Sequence, residues 1–224
     1  MNDSFSRKIE ELLTDARLDL DVSRVDSAVV ERLDVFCRLL EKWNRKINLT
    51  SQKDCQSILE QHVFDSLHFC RWVEAGQRVI DVGSGGGFPG LPVKILVPAV
   101  DLVLAESQRK RCSFLREAVR TLGLSGVEVA EGRIEGLGGD ARWAGQFQRV
   151  LFRGFSSTEN CLSAGGPLLQ EGGRLVLMKD PGELLQNSNQ ISPFELVETK
   201  TVFSFRQRES QMQVFQLCST WNNS

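Results

Sequence analysis

Apolar residues recur at helical spacing through the first third of the chain and then gather into short runs. Ile9, Leu12, Leu13 and Ala16 give residues 5–18 one apolar face; Val25, Val29, Leu33, Phe36, Leu40 and Trp43 do the same for residues 23–46. Ser23 is placed to cap the second of these helices, with Asp26 near its first turn complementing the helix dipole. After a polar turn, residues 54–62 and 65–73 read as two more short helices. From residue 78 the pattern alternates. Strands are expected at 78–82, 101–105, 127–130, 148–152 and 173–179, and helices at 88–97, 108–122 and 157–164. Such alternation builds a parallel sheet with helices on both faces. The tail differs: 195–205 and 210–218 alternate apolar and polar residues with no helix between them, so they should pair as a hairpin. Residues 180–193, rich in Asn, Gln, Ser, Pro and Gly, read as a mobile loop. The expected fold is α/β: a doubly wound, mostly parallel, seven-stranded sheet over residues 76–224, with an N-terminal helical lobe over residues 1–75 packed on it.

The chemistry is densest where the first strand ends. Val79 to Val82 is a buried-strand run, followed at once by Gly83, Gly85, Gly86 and Gly87 and then by the apolar segment Phe88 to Val97. Glycine lets the backbone turn with positive φ and approach a ligand closely. Pro89 and Pro92 suit the first turn of a helix, where a missing N–H is no loss. A dinucleotide fingerprint needs a third glycine three residues after Gly85, and Phe88 stands there. Asp81, two residues before Gly83, would repel a pyrophosphate but suits a cationic ligand. S-adenosylmethionine carries both a sulfonium and an ammonium. The loop from Gly83 to Gly85 would wrap its methionine part, with Asp81 tightening the loop or meeting the amine through water. Glu106 ends the next apolar run, Leu102 to Ala105, where a carboxylate can accept both hydroxyls of a ribose. A glycine-rich turn alone is only a turn; the two acids at this spacing make it a candidate cofactor site.

Composition narrows the partners. The chain has 224 residues, 41% of them hydrophobic and 25% charged, enough for a full core. Its formal net charge of -2 gives no global basic field, so a nucleic acid would be held by local patches. The six cysteines form no C-x-x-C pair and the only histidines are His62 and His68, which argues against a metal site. Scattered cysteines in a chain this long read as buried thiols in a reducing compartment. The first 20 residues lack the apolar stretch of a secretory signal, and no run has the length of a membrane span. A soluble, cytoplasmic protein is expected.

Several blocks resemble one family, the bacterial small-subunit (16S) ribosomal RNA guanine-N7 methyltransferases, also called glucose-inhibited division protein B. The blocks are Lys42-Trp-Asn-Arg-Lys-Ile-Asn-Leu-Thr50, His62-Val-Phe-Asp-Ser-Leu67, Asp81-Val-Gly-Ser-Gly-Gly-Gly-Phe-Pro-Gly-Leu-Pro92, Glu106-Ser-Gln-Arg-Lys-Arg-Cys-Ser-Phe-Leu115, Gly132-Arg-Ile-Glu135 and Arg153. The resemblance runs from about residue 33 to residue 179. It implies a Rossmann-like class I methyltransferase that moves a methyl group from S-adenosylmethionine to N7 of a guanine. Its partner would be small-subunit rRNA or the assembled subunit, and a monomer is expected. The resemblance also implies cofactor contacts from Gly83, Phe88, Ile134, Glu135 and Arg153, with Phe88 and Ile134 sandwiching an adenine. The chain departs from the family at Gln61, Gly154, Asp180 and Glu209-Ser-Gln-Met212, mostly on the substrate side. Two other readings are a methyltransferase of this fold with a different RNA or small-molecule substrate, and a non-enzymatic nucleotide-binding module.

Guanine N7 offers an unprotonated lone pair, so its methylation needs alignment and exclusion of water rather than a general base. No catalytic dyad is expected, and the substrate-side candidates are Asn44, Asn48, His62 and Asp65. Asn44 and Asn48 either line the crevice, the reading the resemblance favours, or cap and turn the chain. His62 and Asp65 share a helical face if their helix is unbroken, and either act on substrate or lock the lobe to the sheet. Candidate RNA contacts are Lys42, Arg45 and Lys46 beside Trp43, and Arg109, Lys110 and Arg111 after the second strand. The second group reads equally well as a solvated face with pairs to Glu106 and Glu117, and Trp43 itself reads as core.

Overall fold

A computed structural model describes residues 3–21, 23, 25–154, 156–181, 190–191 and 193–218. Helices come first. Helix α1 (Asp3–Leu13) stops where Thr14 Oγ1 turns back onto the carbonyls of Glu10 and Glu11. The expected helix over 5–18 is therefore broken, and Ala16–Leu18 form a 3₁₀ turn capped by Asp15. Helix α2 (Ser27–Ile47) starts later than the pattern suggested. Asp26, not Ser23, is its cap: the Asp26 carboxylate accepts from Val29 N at 2.8 Å, a contact worth about 1 kcal/mol, while Ser23 Oγ donates to Asp21. The two short helices expected over 54–73 are one unbroken run. It consists of α3 (Cys55–Ile58), a π turn (Leu59–Val63), α4 (Phe64–Leu67) and a 3₁₀ turn (His68–Trp72). Leu59, Val63, Phe64 and Leu67 are buried, so one apolar stripe continues through the expected break.

The sheet has the order β3-β2-β1-β4-β5-β8-β7-β6. Strands β1 (Arg78–Val82), β2 (Asp101–Glu106), β3 (Val127–Glu131), β4 (Phe147–Arg153) and β5 (Leu169–Lys179) are parallel. The tail strands β7 (Phe194–Phe203) and β8 (Glu209–Leu217) pair antiparallel, as their alternation implied, and β8 lies between β5 and β7. These are the seven long strands expected; β6 (Gln190–Ile191) adds a two-residue edge. Most of the loop expected over 180–193 falls on residues 182–189 and 192, outside the described residues.

Alternate residues of each strand feed two cores. Val79, Leu102, Leu104, Leu151 and Val176 pack with α1 to α4, with α5 (Gly90–Leu96) and with α6 (Arg109–Thr121). Ile80, Val103, Val150 and Leu175 pack on the opposite face with α7 (Ile134–Gly138) and α8 (Thr158–Gly165). The helical lobe therefore shares its core with one sheet face. Polar ties reinforce that contact: Arg17 donates to the carbonyls of Ser204 and Phe205 in the β7–β8 turn, and His68 bonds the carbonyl of Phe203. Strand order reverses between β1 and β4, and a crevice opens there at the carboxyl ends of the strands. Among the described residues, no helix is long and apolar enough to cross a membrane.

Candidate active site

The turn after β1 folds around a buried carboxylate. Asp81 is fully buried, and its Oδ2 accepts the N–H of Gly90 at 2.9 Å, which ties the end of the glycine loop to the strand. Gly90 has no room for more: a Cβ there would lie 2.6 Å from Leu104 Cδ2 and 2.8 Å from Asp81 Oδ2. Asp81 Oδ1 is buried without a hydrogen-bond partner. Burial pushes this carboxyl up to about 7, against the opposing pull of the Gly90 N–H. Helix α5 begins at Gly90, later than the segment from Phe88 suggested, with Pro89 as its cap residue.

Glu106 faces the same turn from the end of β2. Its Oε2 accepts from Gly85 N at 3.0 Å and its Oε1 from Gln108 N at 2.8 Å. Oε1 also accepts from Ser107 Oγ at 3.5 Å, and the carboxylate stands at the rim of a cavity of about 210 Å³. Val82 and Gly83, Ala105 to Ser107, and the loop from Gly132 to Glu135 line that cavity. Gly83 turns with φ 72° at its wall. Gly85, also left-handed at φ 53°, stands back from the cavity and serves it through Glu106. Ile134 and Glu135 border a neighbouring cavity of about 670 Å³ between α7 and α8 as well.

Phe88 does not line the cavity that Ile134 borders. The two residues join cores on opposite faces of the sheet. The Phe88 ring is 6% exposed and enclosed by Phe36 at 5.4 Å, His62 at 5.0 Å and the Arg153 guanidinium at 5.1 Å. Here the sequence candidates converge. Arg153, at the end of β4, donates to His62 Nδ1 at 3.2 Å and lies 3.9 Å from Asp65 Oδ2. Because a guanidinium only donates, His62 Nδ1 is the acceptor, and Nε2–H donates to Thr50 Oγ1. Burial, reinforced by Arg153, holds His62 down to about 4 and therefore neutral. Asp65 and Arg153 open onto a third cavity of about 400 Å³, over β4 and β5 and below the β7–β8 turn.

Asn44 and Asn48 do not line the crevice. Asn44 is buried, its amide donating to Gln52 O at 2.7 Å and its carbonyl accepting Thr50 N at 2.9 Å. Asn48 is the left-handed residue that ends α2. These two shape the turn that carries Thr50 to His62, a supporting role that the sequence reading ranked below direct contact.

The basic candidates lie on two helices that pack against each other, α2 and α6. Trp43 packs edge-on against Phe114 at 5.8 Å, as core, and so sets the end of α2 beside the first turns of α6. Lys42, Lys46, Arg109 and Lys110 are exposed and without an ion pair among the described residues. Arg45 pairs with Glu41 at 2.8 Å, yet stays largely exposed. Arg111 follows the second of the two readings, a pair with Glu106: it turns inward to that carboxylate at 3.8 Å, because α6 begins over the end of β2. Arg116 and Arg120 are paired with Glu131 and Glu117.

A family model described as rRNA small subunit methyltransferase G matches residues 29–213. The chain belongs to this family. It is accordingly an S-adenosylmethionine-dependent methyltransferase. Proteins named ribosomal RNA small subunit methyltransferase G are similar over most of their length. One from Geobacter sp. (strain M21) is 39% identical over 170 residues, 76% of this chain and 77% of that protein. One from Dictyoglomus thermophilum is 36% identical over 191 residues, 84% and 78% of the two chains. Solved structures share the fold at low identity. TrmN from Thermus thermophilus superposes with TM-score 0.54 at 21% identity, covering 69% of this chain and 48% of that one. M. jannaschii TYW2 in complex with AdoMet gives TM-score 0.53 at 12% identity, covering 69% and 74%. The residues of this site fit the methyl donor. Glu106 offers acceptors at a cavity rim, Gly83 leaves that wall without a side chain, and Asp81 has one buried oxygen unpartnered.

Proposed function

We propose that this chain methylates N7 of a guanine in small-subunit ribosomal RNA. The family match over residues 29–213 carries the reading, and two cavities flanking the ends of β1 and β4 support it. Bound S-adenosylmethionine supplies a methyl group activated by the sulfonium. Gly83, Glu106, Ile134 and Glu135 hold its adenosine end, with Glu106 accepting from the ribose and Asp81 compensating the positive charge from behind the loop. Gly85 holds Glu106 in place. Phe88 and Arg153 form the partition between this cavity and the one over β4 and β5, where the target base enters. His62 acts by position: both of its nitrogens are already bonded, and N7 carries no proton to remove.

The basic surface formed by Lys42, Arg45, Lys46, Arg109 and Lys110 holds phosphates beside the crevice. N7 lies on an edge that the narrow major groove of duplex RNA hides, so the target base is unpaired or splayed out. The helical lobe, residues 1–75, forms the wall against which it enters. The enzyme works as a monomer in the cytoplasm on rRNA or the assembled subunit, and no metal is required for a donor already activated by its sulfonium. Mapping of N7-methylguanine in small-subunit rRNA from cells with and without this protein tests the reading. One guanine should lose its methyl group when the protein is absent and regain it with purified enzyme and S-adenosylmethionine. An unchanged map would refute the assignment.

A further inference from the structure

Asp65 stands in an uncommon setting for a carboxylate. It lies in the first turn of α4, with its side chain 23% exposed, in the wall of the cavity over β4 and β5. Among the described residues no group donates a hydrogen bond to it. The nearest cation, Arg153, is 3.9 Å away, beyond hydrogen-bonding range, and gives a nitrogen to His62 instead. Arg208, another cation of the cavity wall, donates to Asp180 at 2.8 Å. Burial pushes the Asp65 carboxyl up to about 6, against the pull of Arg153 and Arg208. A carboxylate so enclosed is satisfied when a ligand brings N–H donors to it.

The bases differ in what they bring. Guanine carries two adjacent donors on its Watson–Crick edge, N1–H and the N2 amino group, spaced to match the two oxygens of one carboxylate. Adenine and cytosine place an acceptor beside their amino group, and uracil has a single N–H between two carbonyls. A base taken out of its pair exposes this edge. We propose that Asp65 reads the guanine, its carboxylate accepting from N1–H and the N2 amino group while N7 is left free on the Hoogsteen edge. This inference rests on the guanine-N7 reading above. It also gives Asp65 a part in the rate. As the N7 lone pair forms its bond to carbon, the C–S electron pair leaves with sulfur and no proton departs. The purine ring therefore becomes cationic and N1–H a stronger donor. A fixed carboxylate at that edge stabilises the charge as it develops.

The test uses the full-length enzyme and rRNA ligated to carry guanosine or inosine at the mapped position. Inosine keeps N1–H, O6 and N7 and lacks only the N2 amino group. Wild-type enzyme should methylate the inosine substrate with kcat/KM lower by about 10- to 100-fold. Asp65→Asn should lose about 100-fold on guanosine, accept both bases alike, and bind S-adenosylmethionine as the wild type does. Equal wild-type rates on the two bases would overturn the role of Asp65 and leave the guanine-N7 reading standing. No N7 methylation of the guanosine substrate by the wild type would overturn both. An Asp65→Asn enzyme that is slow yet still prefers guanosine would show a structural role and overturn the proposal. Should that variant fail to fold, the inosine comparison with wild-type enzyme decides alone.

Discussion

Asp81→Asn should make the protein more stable and a poorer binder of its methyl donor. The carboxyl is fully buried, with one oxygen bonded to Gly90 N and the other unpartnered, and its pKa is pushed up to about 7 from 3.8. Between those two values the folded chain holds more protons at this group than the unfolded chain, so folding weakens as pH rises through that window. Once both states are ionised the loss is about 4 kcal/mol, at about 1.4 kcal/mol per pKa unit. Asparagine removes the charge and keeps an acceptor for Gly90 N. It also buries an amide N–H₂ where the unpartnered oxygen stood, at a cost of about 1–3 kcal/mol. The net gain at pH 8 is therefore about 1–3 kcal/mol, and it should turn into a loss of about 1–3 kcal/mol near pH 4, where the folded wild type carries Asp81 neutral and only the amide cost remains. Urea denaturation of both proteins at pH 8 and pH 4.5 reads this difference directly. Calorimetric titration with S-adenosylmethionine should show a Kd raised by about tenfold or more, the value of a charged contact to a cationic ligand. A variant less stable than wild type at pH 8, or a stability difference that ignores pH, would refute the buried-charge account. An unchanged Kd would remove Asp81 from the donor site.

Other substitutions probe separate parts of the molecule. Gly83→Val places a β-branched residue at φ 72° on the cavity wall, so S-adenosylmethionine binding should disappear in calorimetry while circular dichroism shows a folded chain. Lys110→Glu should weaken rRNA binding and flatten the slope of log K against log salt by about 1, with donor binding unchanged; equal loss of both would point to misfolding. His68 is held down to about 4 by burial, against the bond to Phe203 O, so the stability it gives is complete above its unfolded pKa of 6.5 and is lost as pH falls toward 4. Relative to His68→Gln, the wild type should lose about 3 kcal/mol between pH 7 and pH 4 in denaturation experiments.

Much of this architecture was legible before any coordinates. Short apolar runs ending in turns marked the parallel strands, and the tail alternation marked β7 and β8, because these features record local burial. Asp81 and Glu106, which both bond the glycine loop, stand out in the sequence because a strand end, a glycine turn and an acid form a local pattern. Helix α7 escaped notice because Gly136, Gly138 and Gly139 mask its short stripe. The cap of α2 was misplaced by three residues, since Ser23 and Asp26 are both able caps and only packing chose between them.

Partners distant in the chain were the work of the folded molecule. Along the chain, nothing announces that Phe88 meets His62 and Arg153; in space their side chains pack together. Asn44 shapes a turn because Thr50 must reach His62, a demand set by how the helical lobe lies on the sheet. Arg111 and Lys110 are neighbours with opposite orientations, since α6 docks over Glu106 on one side only. Periodicity reports which side of an element avoids water. It is silent about which buried surfaces meet, because that choice depends on side chains far apart in the chain that only the completed core brings together.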